Sequence, residues 1–198
     1  MTDITWPDEF LHILLRPRFI PINVRSVLDV GCGRGIVGAL LRIYRAPERV
    51  VGIDSFRPSI DFVKKLGVYD EVIEQDITKA PIPFDDKSFD LVLCLEVIEH
   101  LEKGEGLKIL DELSRVGKQV VVSTPGAFFE QPMHDGNPYQ LHKSHYSVRE
   151  LERKGFEVYG VGSLQFGKRG VPYLSRVLGA FTYRLPGLSG ALLAKKSP

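Results

Sequence analysis

The sequence predicts an α/β fold: a doubly wound, mostly parallel sheet of seven strands with helices on both faces. Three observations predict it. Strand-type and helix-type runs alternate through the interior, as βαβ units require. The run Phe89–Leu95 is almost wholly apolar, as a strand covered on both faces should be. An apolar strand over Val24–Val30 runs straight into a glycine-rich turn, Gly31–Gly35, and then into a helix over Ile36–Tyr44.

The remaining elements follow in order. Val50–Asp54 reads as the second strand and Ser59–Leu66 as a short helix. Glu71–Ile77 is the third strand, Phe89–Leu95 the fourth, and Leu107–Val116 a helix. Gln119–Ser123 is the fifth strand, ending at Thr124-Pro125. Ser147–Lys154 reads as a helix with Ser147 as N-cap, Glu150 at the capping-box position and Gly155 as the stop. Glu157–Val161 and Ala191–Lys195 complete the seven strands. Three stretches lie outside this ladder. Trp6–Leu15 reads as a helix that packs on the sheet or lids it. Residues 126–146 form a long polar loop after the fifth strand. Val171, Leu174, Val177, Leu178, Phe181 and Leu185 form a helical stripe.

At 198 residues the chain suits one domain, and 43% of it is apolar, enough for a proper core. Lys and Arg number 26 against 25 Asp and Glu, a formal net charge of +1. That balance supplies no broad basic field, so nucleic acid is not the favoured partner. The segment MTDITWPDEF lacks the apolar stretch of a secretory leader, and no apolar run approaches the ~18 residues of a membrane span. The two cysteines, Cys32 and Cys94, are far apart in sequence, which fits a reducing cytoplasm better than a disulfide scaffold.

Most of the chemistry is written in Val27-Leu28-Asp29-Val30-Gly31-Cys32-Gly33-Arg34-Gly35. Glycines at alternate positions permit positive φ and let a ligand approach the backbone. The following helix N-terminus offers free N–H groups. A dinucleotide fold wants a third glycine three residues after the second; Ile36 stands there instead. Val50-Val51-Gly52-Ile53-Asp54 then ends a strand in a carboxylate roughly 20 residues beyond the turn, where it can accept both hydroxyls of a ribose. This ordered pattern resembles the class I S-adenosylmethionine-dependent methyltransferases, over about residues 20 to 165. The resemblance implies that the turn holds the methionine half of the cofactor, with Asp29, Gly31, Cys32, Gly33 and Gly35 at the site. It implies Asp54 and Ser55 at the ribose, Asp76 and Ile77 near the adenine, and Leu95 and Glu96 on the pocket wall after the fourth strand.

The loop Gln131–Tyr146 carries His134, His142 and His145 and two prolines, on the side of the sheet where α/β folds bind ligands. Its histidines and Asn137 can tie the loop by hydrogen bonds. Alternatively His100, His142 or His145 acts as a base toward the methyl acceptor. A third reading is a metal site. If a helix begins near Glu96, then Glu96, Glu99 and His100 share one face, and His142 or His145 completes the set. That arrangement looks like the metal site of methyltransferases that modify the terminal ribose of small RNAs. The expectation is therefore methyl transfer from S-adenosylmethionine to a small molecule, without a metal. The alternatives are a metal-dependent RNA 3′-terminal ribose methyltransferase using Glu96, Glu99, His100 and His145, and a protein that binds the cofactor without catalysis.

Overall fold

A computed structural model describes residues 8–128, 130–131, 133, 136–166, 169–170 and 183–198. Its elements are α1 (Asp8–Leu14), β1 (Ser26–Val30), α2 (Ile36–Tyr44), β2 (Arg49–Asp54), α3 (Arg57–Leu66), β3 (Glu71–Glu74), β4 (Phe89–Leu95), α4 (Lys103–Val116), β5 (Gly117–Pro125), α5 (Val148–Arg153), β6 (Glu157–Phe166), β7 (Arg169–Gly170) and β8 (Ser189–Lys196). Single 3₁₀ turns occupy Ile98–His100, Pro138–Gln140 and Pro186–Leu188.

The strands join in the order β3-β2-β1-β4-β5-β8-β6-β7. Pairs β1–β2, β2–β3, β1–β4 and β4–β5 are parallel, and β8 runs antiparallel between β5 and β6. All seven expected strands are therefore present. The eighth, β7, is a two-residue hairpin partner of β6 that pairs Gln165 with Gly170.

Alternation within each strand sends side chains to two faces. Leu28, Val51, Val92 and Val120 pack with Ile109, Leu110 and Leu113 of α4 on one face. Val27, Val50, Leu91 and Val121 pack with Phe10 and Leu14 of α1 and Leu41 of α2 on the other. Leu91, Val92, Leu93 and Cys94 are all fully buried, which explains the unbroken apolar run in β4. The helix expected over Trp6–Leu15, described from Asp8, docks on the sheet face and lines no part of the cavity. The helix expected over Val171–Leu185 lies outside the described residues except for 183–185. No described helix is long and apolar enough to cross a membrane.

Candidate active site

The glycine turn leaves β1 and is pinned to β2. Gly31 and Cys32 both donate their backbone N–H to Ile53 O, at 2.8 and 3.0 Å. Gly31, Gly33 and Gly35 have φ of +76°, +49° and +81°, where a Cβ is strained. Their surroundings differ. A Cβ on Gly31 would stand 2.3 Å from Val97 Cγ2, and one on Gly35 3.0 Å from Val63 Cγ1 of α3. A Cβ on Gly33 would meet nothing nearer than Gly31 O at 3.9 Å. Only Gly33 faces open space. Gly35, expected at the cofactor site, is instead a packing position that does not line the cavity.

Two carboxylates flank the turn. Asp54 accepts Gly33 N–H on one oxygen and Phe56 N–H on the other, each at 2.8 Å. Burial raises its pKa above the ordinary carboxylate value, against the pull of those donors. Asp29, only 2% exposed, accepts the Tyr69 hydroxyl at 2.6 Å. Burial pushes Asp29 up to about 7, with the Tyr69 donor opposing and the Asp54 charge adding. Farther along, Asp76 is held by the Thr78 backbone and hydroxyl, at 3.0 and 2.7 Å, and by Lys79. Its partial burial raises its pKa, but these partners outweigh it and the carboxyl sits below its usual range.

The exit of β4 departs from the expected helix. Glu96 takes a left-handed φ of +54°, and only a 3₁₀ turn follows, over Ile98–His100. Glu96 is consequently turned toward β5, where the Ser123 hydroxyl donates to it at 2.6 Å. Glu99 is 2% exposed, and neither of its carboxylate oxygens has a hydrogen-bond partner among the described residues. Burial, then the neighbouring Glu96, drives the Glu99 pKa well above the ordinary value.

The long loop docks onto this turn. Lys143 and Ser144 donate their backbone N–H to Glu99 O at 2.8 and 3.0 Å, and the Ser144 hydroxyl donates to Ile98 O. Asn137 caps the 3₁₀ turn by accepting Tyr139 N–H, as the structural reading of the loop expected. His100 Nδ1 lies 3.3 Å from Leu141 O. A carbonyl can only accept, so Nδ1 carries the proton and Nε2 presents a lone pair. Burial pushes His100 down to about 4, so its ring is neutral near pH 7. The His142 ring lies alongside, with centroids 5.0 Å apart. Glu99, His100 and His142 bring one ligand-type atom each within 4.8 Å of one another.

His145 corrects the expected set. Its Nε2 lies 3.2 Å from Gly126 O, tying the loop start, and it does not line the cavity. Of the two loop histidines the sequence offered, His142 is the one that joins Glu99 and His100, beside the Lys143 and Ser144 anchor on Glu99 O. His134 lies outside the described residues.

A single cavity of about 1180 Å³ joins these parts at the carboxyl ends of the parallel strands. Asp29, Gly31, Cys32, Gly33, Asp54, Ser55, Asp76, Ile77, Leu95 and Glu96 line this cavity together with Glu99, His100 and His142. Residues 28–120, which carry every strand exit of that cavity up to β4, match the family model described as a methyltransferase domain. The chain belongs to the class I S-adenosylmethionine-dependent methyltransferases.

Relatives of this methyltransferase domain agree. It is 31% identical over 139 residues to a "probable S-adenosylmethionine-dependent methyltransferase" of Mycolicibacterium smegmatis, covering 68% of this chain and 52% of that one. It is 28% identical over 131 residues to a ubiquinone biosynthesis O-methyltransferase of Rickettsia felis, covering 58% and 52%. The chain thus spans about half the length of these curated relatives. A crystal structure of an S-adenosylmethionine-dependent methyltransferase from Archaeoglobus fulgidus superposes with a TM-score of 0.60 at 23% identity, over 95% of this chain and 94% of that one. That likeness concerns the fold.

Proposed function

We propose that this methyltransferase transfers the sulfonium methyl group of S-adenosylmethionine to a hydroxyl oxygen of a small-molecule acceptor. One observation carries the reading. The glycine turn and Asp54 share a single cavity with the Glu99–His100–His142 cluster, so cofactor and acceptor chemistry meet. Asp54 would accept from the ribose hydroxyls, and the space over Gly33 would take the methionine half. Cys32, Ser55, Asp76, Ile77, Leu95 and Glu96 would complete the cofactor wall. The cofactor brings an activated methyl group; the protein supplies proximity, alignment and a dry wall.

The acceptor hydroxyl must lose its proton as its oxygen takes the methyl group. His100, held near 4, is too weak a base for that step and suits orienting the acceptor through Nε2. His142, lining the same cavity, is our choice of base. The O-methyltransferase relative supports an oxygen acceptor, and the exposed Tyr139 ring on the cavity lining favours one with apolar parts. The buried free thiols of Cys32 and Cys94 are compatible with a reducing, cytoplasmic setting.

A second reading has its own observation. The unpartnered, buried Glu99 carboxylate beside two imidazoles favours a divalent cation held by Glu99, His100 and His142. Such a cation would acidify the acceptor hydroxyl, including the terminal ribose hydroxyl of an RNA. Initial rates with phenolic acceptors and with an RNA 3′ end, each with and without chelator, separate the two. The first reading predicts turnover of the small acceptor, indifferent to chelator. It also predicts that His142→Ala lowers turnover about a hundredfold or more while leaving S-adenosylhomocysteine affinity unchanged. Activity lost to chelator and restored by Mn²⁺, with Glu99→Gln inactive, would establish the second.

A further inference from the structure

Two glycines sit inside regular elements, where glycine is intrinsically unfavourable: Gly38 in the first turn of α2 and Gly52 in β2. Neither has a left-handed φ, so backbone freedom does not explain them. A shared neighbour does. A Cβ on Gly38 would stand 2.6 Å from Tyr69 Cζ, and one on Gly52 3.3 Å from Tyr69 Cδ1 and 3.0 Å from Cys32 Sγ. Both glycines leave room for the Tyr69 ring between α2 and the sheet.

The seat aims one group. The Tyr69 hydroxyl, at the end of a ring only 7% exposed, donates to Asp29 Oδ2 at 2.6 Å and accepts Gly38 N–H at 3.3 Å. Among the described residues no second donor reaches the Asp29 side chain, and Asp29 lines the cavity beside the turn. S-adenosylmethionine carries two cationic groups, and only its ammonium can donate hydrogen bonds. A buried carboxylate at the methionine end is its natural acceptor.

We propose that Tyr69 is a positioning residue for cofactor binding, holding Asp29 in place to receive the ammonium group of the methionine half. The proposal rests on the turn and Asp54 being the cofactor site. The ionisation of Asp29 follows from its surroundings. Burial and Asp54 from β2 favour its neutral form, while the Tyr69 hydroxyl favours the carboxylate. Cys32 in the turn and Cys94 in β4 also face it, both uncharged because burial raises their thiols far above neutrality. With Asp29 at about 7, the carboxylate gains population as pH rises from 6 to 8. Affinity for an ammonium-bearing ligand should rise over the same window.

The experiment is calorimetric titration of the whole chain with S-adenosylhomocysteine and with methylthioadenosine, which keeps the adenosyl group and lacks the ammonium. Tyr69→Phe should weaken S-adenosylhomocysteine about tenfold, and leave methylthioadenosine within about twofold. The rise in S-adenosylhomocysteine affinity with pH should move upward in Tyr69→Phe and vanish in Asp29→Asn. Methylthioadenosine should show no such rise. Equal losses for both ligands in Tyr69→Phe would make Tyr69 a packing residue only and overturn the proposal, as would no loss for either. Failure of S-adenosylhomocysteine to bind the wild-type protein would overturn the cofactor site itself, and this proposal with it.

Discussion

The three glycines of the turn share a left-handed backbone and nothing else. Gly31 is required by Val97, Gly35 by α3, and Gly33 by open cavity space. Matched substitutions separate these causes. Gly31→Ala and Gly33→Ala each incur the left-handed penalty, about 1 kcal/mol. Only Gly31→Ala adds a collision with Val97, so its melting temperature should fall further. Only Gly33→Ala puts a methyl group where the ligand would lie, so it should lose at least about tenfold in S-adenosylmethionine affinity. Melting curves and calorimetry on the two proteins check this; equal cofactor losses would mean that Gly33 does not face the ligand. At this scale the spacing in the sequence brought Asp29, Gly33 and Asp54 to one turn, and the structure places all three on one cavity. The sequence left His142 and His145 open as partners of Glu99 and His100, since the loop's placement depends on the Lys143 and Ser144 backbone bonds to Glu99 O, and no pattern of residue types encodes those. Tyr69 was missed, although Gly38 and Gly52 inside a helix and a strand were the signal.

The elements were mostly legible, for a physical reason. Strands buried on both faces need uninterrupted apolar residues, and β1, β2, β4 and β5 advertise themselves. The two-residue β7 exists only through pairing with β6, so no local pattern marks it. The helix expected from Glu96 is a 3₁₀ turn because Glu96 leaves β4 in a left-handed conformation, with its carboxylate on Ser123. Helix α5 matched its reading in full. Ser147 Oγ accepts Glu150 N–H, and the Glu150 carboxylate accepts Ser147 N–H at 2.8 Å. That box fixes where the loop over 126–146 ends. Ser147→Ala should cost about 1 kcal/mol and lower the melting temperature by roughly 3 °C. Cofactor affinity should be unchanged, because Ser147 does not line the cavity. A loss of affinity in calorimetry would mean that the cap also shapes the site.

For the whole molecule, the order β3-β2-β1-β4-β5 reverses direction between β1 and β4. Ligands of open α/β sheets bind outside the carboxyl ends of the strands at such a reversal. The exits of β1, β2 and β4 supply the turn, Asp54 and Glu99, and the loop after β5 adds His142. On the proposed function, one cavity brings the cofactor's sulfur to the Glu99–His100–His142 cluster. A crystal structure with S-adenosylhomocysteine bound tests it most directly. The expected result is ribose hydroxyls on Asp54, the methionine half over Gly33, and the sulfur facing that cluster. A ligand seated away from Asp54, or a sulfur turned away from Glu99, His100 and His142, would contradict it.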